Sequence, residues 1–440
     1  MTGKRIFKRV LKIIVCVILV LAVLAGVAYF FFDPYKGSVS VWKMQNGTPQ
    51  QVMTKKQAVT DLEFIKDKVK SLHYSTINGL SPAFREQYDK EIAALTDHPT
   101  ILQVWQAGSR ILHTLNDGHS NLYGYMGRRA YGGAIYSIAD GAVYIHINDQ
   151  SYRVKKICGV DIDLLRQNAS AQNSYENDLY RDYRFLSCLQ TDLDLEWLGC
   201  PPFEVYTVDF DNNGKTQTAT IPRNPTGSNQ TKEKWVSYRI DKGNSVGILT
   251  LNSCKDNDEY RETLRNFFTE VKADGITNVA VDLRSNGGGS SYVMNDFIRY
   301  LNVDRYEDFA SYHRLKLIRF KDPVSATVQN KKINDLLFSG KVYVLTSTET
   351  FSSAMQFSVG LQDNKLAKVI GEPSGNKPCQ YGEVVTFLLP NSKLYFSTTY
   401  AYFERPDASK ADMAYQMPDY PVSADAAVDK LCELTKGTGK

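Results

Sequence analysis

The sequence is poor in the residues that metal and nucleotide sites need. Its six histidines are scattered, and its seven cysteines form no CxxC pair and no Cys/His cluster at zinc-ligand spacing. The Walker lysine and its spacing are absent, as is a dinucleotide-type G-x-G-x-x-G. Basic excess is missing too. Lys4, Arg5, Lys8, Arg9 and Lys12 precede the rest of the chain, and without them the 52 Lys+Arg and 48 Asp+Glu nearly cancel. A nucleic-acid partner therefore lacks its electrostatic footprint. There is no internal repeat and no low-complexity tract. A 43% hydrophobic and 23% charged composition excludes wholesale disorder.

One apolar run is present. Ile13 to Phe32 contains no charged residue, and ~20 such residues suffice to cross ~30 Å of hydrocarbon as a helix. Basic residues before it favour a cytoplasmic N-terminus and an extracytoplasmic body. No clear A-x-A site with a polar start follows, so an uncleaved signal anchor is expected over residues 1–32. Cys16 lies in that run. Cys158, Cys188, Cys200, Cys254, Cys379 and Cys432 would then face a compartment where disulfides persist, in a pairing the sequence does not reveal.

With 440 residues the chain has room for two or three structural units. Residues 33–54 read as a linker. Helical periodicity dominates 55–121, where Val59, Leu62, Ile65, Val69 and Leu72 recur at three- and four-residue steps and Ser81-Pro82 and Pro99 open further helices. Residues 122–235 read as a β-rich middle region, with a hairpin expected around Asp211-Asn212-Asn213-Gly214. From 236 to 425 strands alternate with helices, the signature of an α/β layer. Residues 426–440 read as a C-terminal tail.

Three motifs carry chemistry. Val279 to Ser291 (VAVDLRSNGGGSS) is a buried strand ending in a Gly-rich turn, where backbone N–H groups can approach a ligand closely. Thr114 to Ser120 (TLNDGHS) presents His119 at a turn, and imidazole is the commonest general base near neutral pH. Lys341 to Leu345 is a strand leading through Thr-rich punctuation to Phe351-Ser352-Ser353-Ala354 and an amphipathic helix. A hydroxyl at such a junction faces the positive end of the helix dipole, suited to a developing oxyanion. A following loop, Gly371 to Pro378, supplies Lys377 as a second base, provided desolvation lowers its pKa.

Taken together, TLNDGHSNL, VAVDLRSNGGG, and TETFSSAMQF with VIGEPSGNK resemble the tail-specific, or C-terminal-processing, serine peptidases and their tricorn-core relatives. The resemblance is good from about residue 240 to 400 and thinner from 55 to 120. It implies a crotonase-like α/β core of ββα units, polypeptide substrates and no cofactor. It puts the nucleophile at Ser352, the lysine base of the processing members at Lys377, their supporting aspartate at Asp363, and the histidine base of tricorn-like members at His119. Gly288 and Ser353 would form the oxyanion hole. Two positions depart from the pattern. Met355 stands where the processing members place a glutamate, and residues 122–235 show no clear PDZ module. Asp-Gly-His together with Tyr381-Gly382-Glu383 looks more like the bacterial subgroup that uses histidine. Both bases stay open, as do an esterase and a non-catalytic peptide- or lipid-binding protein on the same fold. Oligomeric state is not legible.

Overall fold

A computed structural model describes residues 2–40, 48–123, 135–223, 234–322 and 327–436. The expected linker over 33–54 falls partly outside these residues.

The N-terminal apolar run is a helix, Thr2–Phe32. Its segment Phe7–Ala28 has a mean hydropathy of 3.1 and is not buried against the rest of the described residues. Next come Lys55–Leu72, Pro82–Ala94 and Ile101–His113. Thr54 and Thr100 each form a reciprocal capping box with a glutamine three residues on. Ser81 caps the helix that Pro82 opens. These caps satisfy N–H groups that the first helical turn leaves without partners.

The middle region builds an antiparallel sheet in the order Ile135–Ala139, Ala142–Ile147, Gln150–Ile157, Tyr206–Asn212, Lys215–Ile221. Its last hairpin turns through Asn213 and Gly214, both at positive φ, as a two-residue turn of the hairpin-favoured hand requires. Helices Ile162–Gln172, Asp178–Cys188 and Asp192–Trp197 lie between the third and fourth strands in sequence. The break expected near residue 121 does not divide the core. Leu62, Ile65 and Ile111 of the helices, Ile145 and Val208 of the sheet, and Phe387 and Phe396 of a distant hairpin share one buried cluster.

The last part is a six-stranded sheet ordered Tyr420–Pro421, Lys368–Gly371, Lys341–Thr346, Asn278–Asp282, Val246–Leu251, Val236–Asp241. All neighbours are parallel except the final pair. Phe267, Phe268, Phe297 and Phe357 from helices Asp258–Ala273, Tyr292–Ile298 and Ser353–Asp363 cover one face. The expected C-terminal tail is instead a helix, Ala427–Thr435, whose Ala427 and Leu431 bury Ala280, Tyr343 and Leu345 on the opposite face. A parallel sheet needs both faces covered, and this helix does so. An antiparallel sheet adds the strands Gln380–Leu388 and Tyr395–Glu404, which the sequence reading did not identify. It ties Leu122-Tyr123 to Tyr395–Phe396 and so holds the TLNDGHS turn against the C-terminal part of the chain.

All seven cysteines are free thiols, four of them among the buried core residues of the body.

Candidate active site

Strands Asn278–Asp282 and Lys341–Thr346 run parallel in register, so both end at the same sheet edge. The turns that follow them are tied together. Asn286 C=O accepts the Phe351 N–H at 3.0 Å, and Thr350 Oγ1 donates to Leu283 C=O at 2.9 Å. The next residue, Ser352, sits at φ 55, ψ −125 before the helix Ser353–Asp363. A non-glycine residue there is strained, and such strain persists only where surroundings impose it. Two neighbours do so here. Asn376 Oδ1 accepts the Ser352 N–H at 2.9 Å. Gly288, at φ 105, lies so close that a Cβ on it would stand 2.6 Å from the Ser352 Cβ. The elbow turns the hydroxyl toward a cleft of about 670 Å³, also lined by Gly118, His119, Tyr180, Arg184, Gly287, Gly289, Ser353 and Glu383.

His119 enters from the other side. Gly118 packs on the Phe351 ring, where a Cβ would come within 2.9 Å, and the His119 ring lies 4.8 Å from the same phenyl. His119 is buried, and neither ring nitrogen has a hydrogen-bond partner among the described residues. The Asp117 carboxylate stands 3.5 Å from its Nδ1. Asp117 is itself held by His73 Nε2 at 3.2 Å, Ser120 Oγ at 2.6 Å and Thr399 Oγ1 at 2.9 Å. Burial alone would raise the Asp117 pKa, but His119 and His73 pull it far below the carboxylate range. Burial alone would lower the imidazole pKa, but Asp117 and then Glu176 raise it above the ordinary value.

Glu176 is a residue the sequence reading missed. Its carboxylate accepts the Gly118 N–H at 3.2 Å and the Lys377 N–H at 2.9 Å. Burial pushes its pKa up to about 7, against the opposing pull of His119. Ligand atoms of Asp117, His119 and Glu176 lie within 4.8 Å of one another, a spacing that would admit a cation. Most of their oxygens are already committed, however. Asp117 serves two hydroxyls, His73 and the His119 N–H, and Glu176 serves two backbone amides. The arrangement is built to orient and charge an imidazole.

The other expected residues are placed as follows. Lys377 has an exposed side chain outside the cleft lining, and only its backbone N–H reaches the network. Asp363 ends the helix that Ser352 begins, about 16 Å away at 1.5 Å per residue. There it is fully buried in a bidentate pair with Arg405 at 2.7 and 2.9 Å. Met355 packs on Phe309 and Val359, so the position of the absent glutamate is an apolar contact. Ser353 opens the helix, where its N–H has no intrahelical acceptor. The Gly288 N–H is not open to a ligand as expected. It donates to Asn286 Oδ1 at 2.8 Å, because the buried Asn286 side chain folds back under the turn.

A larger cavity, about 930 Å³, lies beyond the same loops and is lined by Asp282, Arg284, Glu349 and Glu372 among others. It contains neither Ser352 nor His119, and Arg284 is spent on Asp282 and on Ala424 C=O. The smaller cleft is the one in which the Ser352 hydroxyl, the His119 imidazole and the Ser353 N–H meet.

This fold, with a strained serine at a helix N-terminus, belongs to a class of serine-containing α/β clefts. Residues 245–422 match the model of Peptidase family S41. The match agrees with the tail-specific resemblance read from the three motifs. A protein of Staphylococcus haemolyticus described as a "Probable CtpA-like serine protease" is 26% identical over 144 residues, 33% of this chain. That stretch is only 27% of the relative's length. Among solved structures, mature CPAF superimposes with a TM-score of 0.63 over 87% of this chain and 97% of its own, at 13% identity. CPAF complexed with lactacystin gives 0.61 over 87% and 98%, also at 13% identity. At such identities the likeness is one of fold.

Proposed function

We propose that the chain is a serine endopeptidase on a crotonase-like core, anchored by the helix Thr2–Phe32 with its body outside the cytoplasm. The observation that carries this reading is the elbow. Ser352 is forced to positive φ at a helix N-terminus, in one cleft with a buried imidazole that Asp117 faces at 3.5 Å and whose Nε2 has no hydrogen-bond partner among the described residues. The S41 match over residues 245–422 supports it.

The Ser352 hydroxyl attacks a peptide carbonyl and its proton passes to His119. Asp117 and Glu176 stabilise the imidazolium that forms, which then protonates the leaving amine. Water hydrolyses the acyl-enzyme by the same route. The Ser353 N–H stabilises the oxyanion, and the Gly288 N–H joins it once it exchanges Asn286 for the substrate oxygen. His119 is favoured over Lys377 because it is buried in the cleft, where removing water strengthens its interactions, whereas Lys377 is solvated. No hydrogen bond joins His119 to Ser352 in the free protein, and such bonds commonly tighten only when substrate arrives.

The test is labelling by a fluorophosphonate probe together with cleavage of a denatured protein. Both are expected in the wild-type chain and neither in Ser352→Ala. A wild-type protein inert to the probe and to every polypeptide overturns the reading. Hydrolysis of small acyl esters without peptide cleavage replaces it with an esterase.

A further inference from the structure

The strand Ala310–Leu315 pairs with Tyr395–Glu404 and returns through Lys316-Leu317 as Ile318–Lys321, the last strand of that sheet. Every residue of this last strand is exposed. Leu317 at the turn is 83% exposed, Ile318 51% and Phe320 41%. Among the described residues of the body no other run of four carries three large exposed apolar side chains. Lys316, Arg319 and Lys321 stand between and beside them, all exposed, and no acidic residue occurs from Ala310 to Lys321. Arg319 lies over the Tyr74 ring at 4.4 Å and donates to Tyr74 C=O at 2.9 Å, and Lys321 lies over the Tyr312 ring at 5.5 Å. Such partners orient a cation without neutralising it. Asp322 and Glu404 lie at the base of the hairpin, against Ser311 and Ala310, away from its tip. Single exposed apolar residues are ordinary, but a contiguous group set among cations marks a contact surface.

The hairpin stands close to the end of the apolar helix. Phe320 stacks on His313 at 5.5 Å and 22°. The His313 ring lies 6.0 Å from that of Tyr400, and Tyr400 lies 5.8 Å from Tyr35, their hydroxyls 3.0 Å apart. Tyr35 follows Phe32, the last residue of the helix, by three positions. The chain just beyond is pinned to the body as well. Val39 N–H donates to Thr386 C=O at 2.8 Å, and Lys68 Nζ donates to Lys36 C=O at 3.1 Å. Three residues span at most ~11 Å. With the helix in a bilayer, the surroundings of Tyr35 therefore sit at the bilayer surface. Apolar side chains among cations suit that place, since the former enter the headgroup boundary and the latter meet lipid phosphates.

We infer that the Ala310–Lys321 hairpin is a second membrane contact. Leu317, Ile318 and Phe320 enter the headgroup boundary of the leaflet beside the anchor, and Arg319 and Lys321 meet its anionic headgroups. This rests on the anchor half of the reading above and not on its peptidase half. One tether leaves the body free to swivel. A second contact fixes the orientation of the cleft, whose wall residue Gly382 pairs with Ala401 in the same sheet.

The full-length protein is placed in nanodiscs of phosphatidylcholine, with or without phosphatidylglycerol, and with or without bromine on the upper acyl chain. Tryptophan emission is compared for the wild type, Leu317→Trp, Phe320→Trp and, on the middle region, Val205→Trp, which also replaces an exposed apolar residue. Leu317 is a turn residue and tryptophan keeps a ring at 320, so one variant carries the comparison if the other fails to fold. The emission added at 317 and 320 should be blue-shifted and quenched about twofold or more by bromines ~5–10 Å below the headgroup boundary, the depth of interfacial apolar side chains. That added at 205 should be untouched. Arg319→Gln with Lys321→Gln, and omission of phosphatidylglycerol, should each lower the quenching, because a cation at an anionic surface favours docking about fivefold. Emission typical of water, without quenching, overturns the inference. A blue shift without quenching also overturns it and assigns the patch to a second copy or another protein. Equal quenching at 205, or quenching that ignores both the anionic lipid and the two glutamines, overturns it too. Co-flotation of the wild type with vesicles tests the anchor separately. A protein that floats while residue 317 stays in water sinks this inference alone. One that does not float brings down the anchor reading and this inference with it.

Discussion

One helix, Ser353–Asp363, has two ends that were built for opposite ends. At its start Ser352 is strained, the Ser353 N–H has no intrahelical acceptor and the nearby imidazole has no hydrogen-bond partner among the described residues. At its finish Asp363 is fully buried, with both oxygens on Arg405 and one also accepting the Asp407 N–H at 3.1 Å. The helix itself is buried along its length through Ala354, Met355, Phe357, Val359 and Leu361. The same element thus shows polar groups left unsatisfied where substrate is to supply the partner, and satisfied where only folding is at stake. Unmet hydrogen-bonding capacity inside a protein is costly, so it marks the end that awaits a ligand.

The comparison breaks most sharply at His119. His119→Ala should lower kcat by about 10⁴-fold or more, the scale seen when one member of a catalytic unit is lost. Lys377→Ala should stay within a few-fold of wild type. Kinetics on a denatured protein substrate decide between them, and the reverse order would move the base to the lysine.

Asp363→Asn should do the opposite. It leaves the Arg405 guanidinium, 2% exposed, without its counter-charge. A loss of about 3–5 kcal/mol in unfolding free energy is expected, with kcat/KM nearly unchanged at temperatures where the variant is folded. Denaturant unfolding beside activity measures both, and a collapse of kcat without a stability change would give Asp363 a chemical role.

Gly288→Ala is expected to damage both properties. An alanine Cβ would collide with Ser352 and with Phe351 C=O, in a backbone region that L residues rarely adopt. Loss of fluorophosphonate labelling together with a fall of a few kcal/mol in stability is the predicted result. A variant that labels normally would show that the elbow is not held by this glycine.

The smallest effect concerns pH. His119 must be neutral to accept a proton, and the charges of Asp117 and Glu176 raise its pKa. The acidic limb of kcat/KM should therefore lie above the ordinary imidazole value. In Glu176→Gln one negative charge is gone, the imidazolium is less favoured, and the limb should move to lower pH. A limb that stays in place would detach Glu176 from the base. The carboxyl itself contributes to stability in the opposite sense to a salt-bridged acid. With its folded pKa near 7 and an ordinary unfolded value, its contribution is present below about pH 4 and declines as pH rises toward 7.

Much of the plan was legible in the chain. The three helices of residues 55–113 follow from apolar spacing and from caps at Thr54, Ser81 and Thr100, which are local features. The hairpin at Asn213-Gly214 follows from turn chemistry. The two strands, read from the sequence as ending at Leu283 and Leu345 and observed to end one residue away at Asp282 and Thr346, follow from the alternation of apolar runs with glycine and hydroxyl residues. The Ala427–Thr435 helix was missed because it spans only nine residues, too few to be stable alone, and its stability comes from covering the sheet.

Ser352 and His119 could be nominated because each sits in a short segment whose composition alone suggests an exposed turn. Glu176 could not, since nothing in Tyr175-Glu176-Asn177 distinguishes it from any polar stretch. Its raised pKa comes from burial, with Asp117 adding to it and His119 and the Gly118 and Lys377 amides opposing it, and all of that is set by the fold. Asn286 and Asn376 lie within the motifs, but only folding decided that one closes the Gly288 amide and the other fixes the Ser352 elbow. Periodicity, caps and turns are set over a few residues by sterics and hydrogen bonding along the chain. Charge states and open amides are set over a few ångströms by whichever groups the fold happens to bring near.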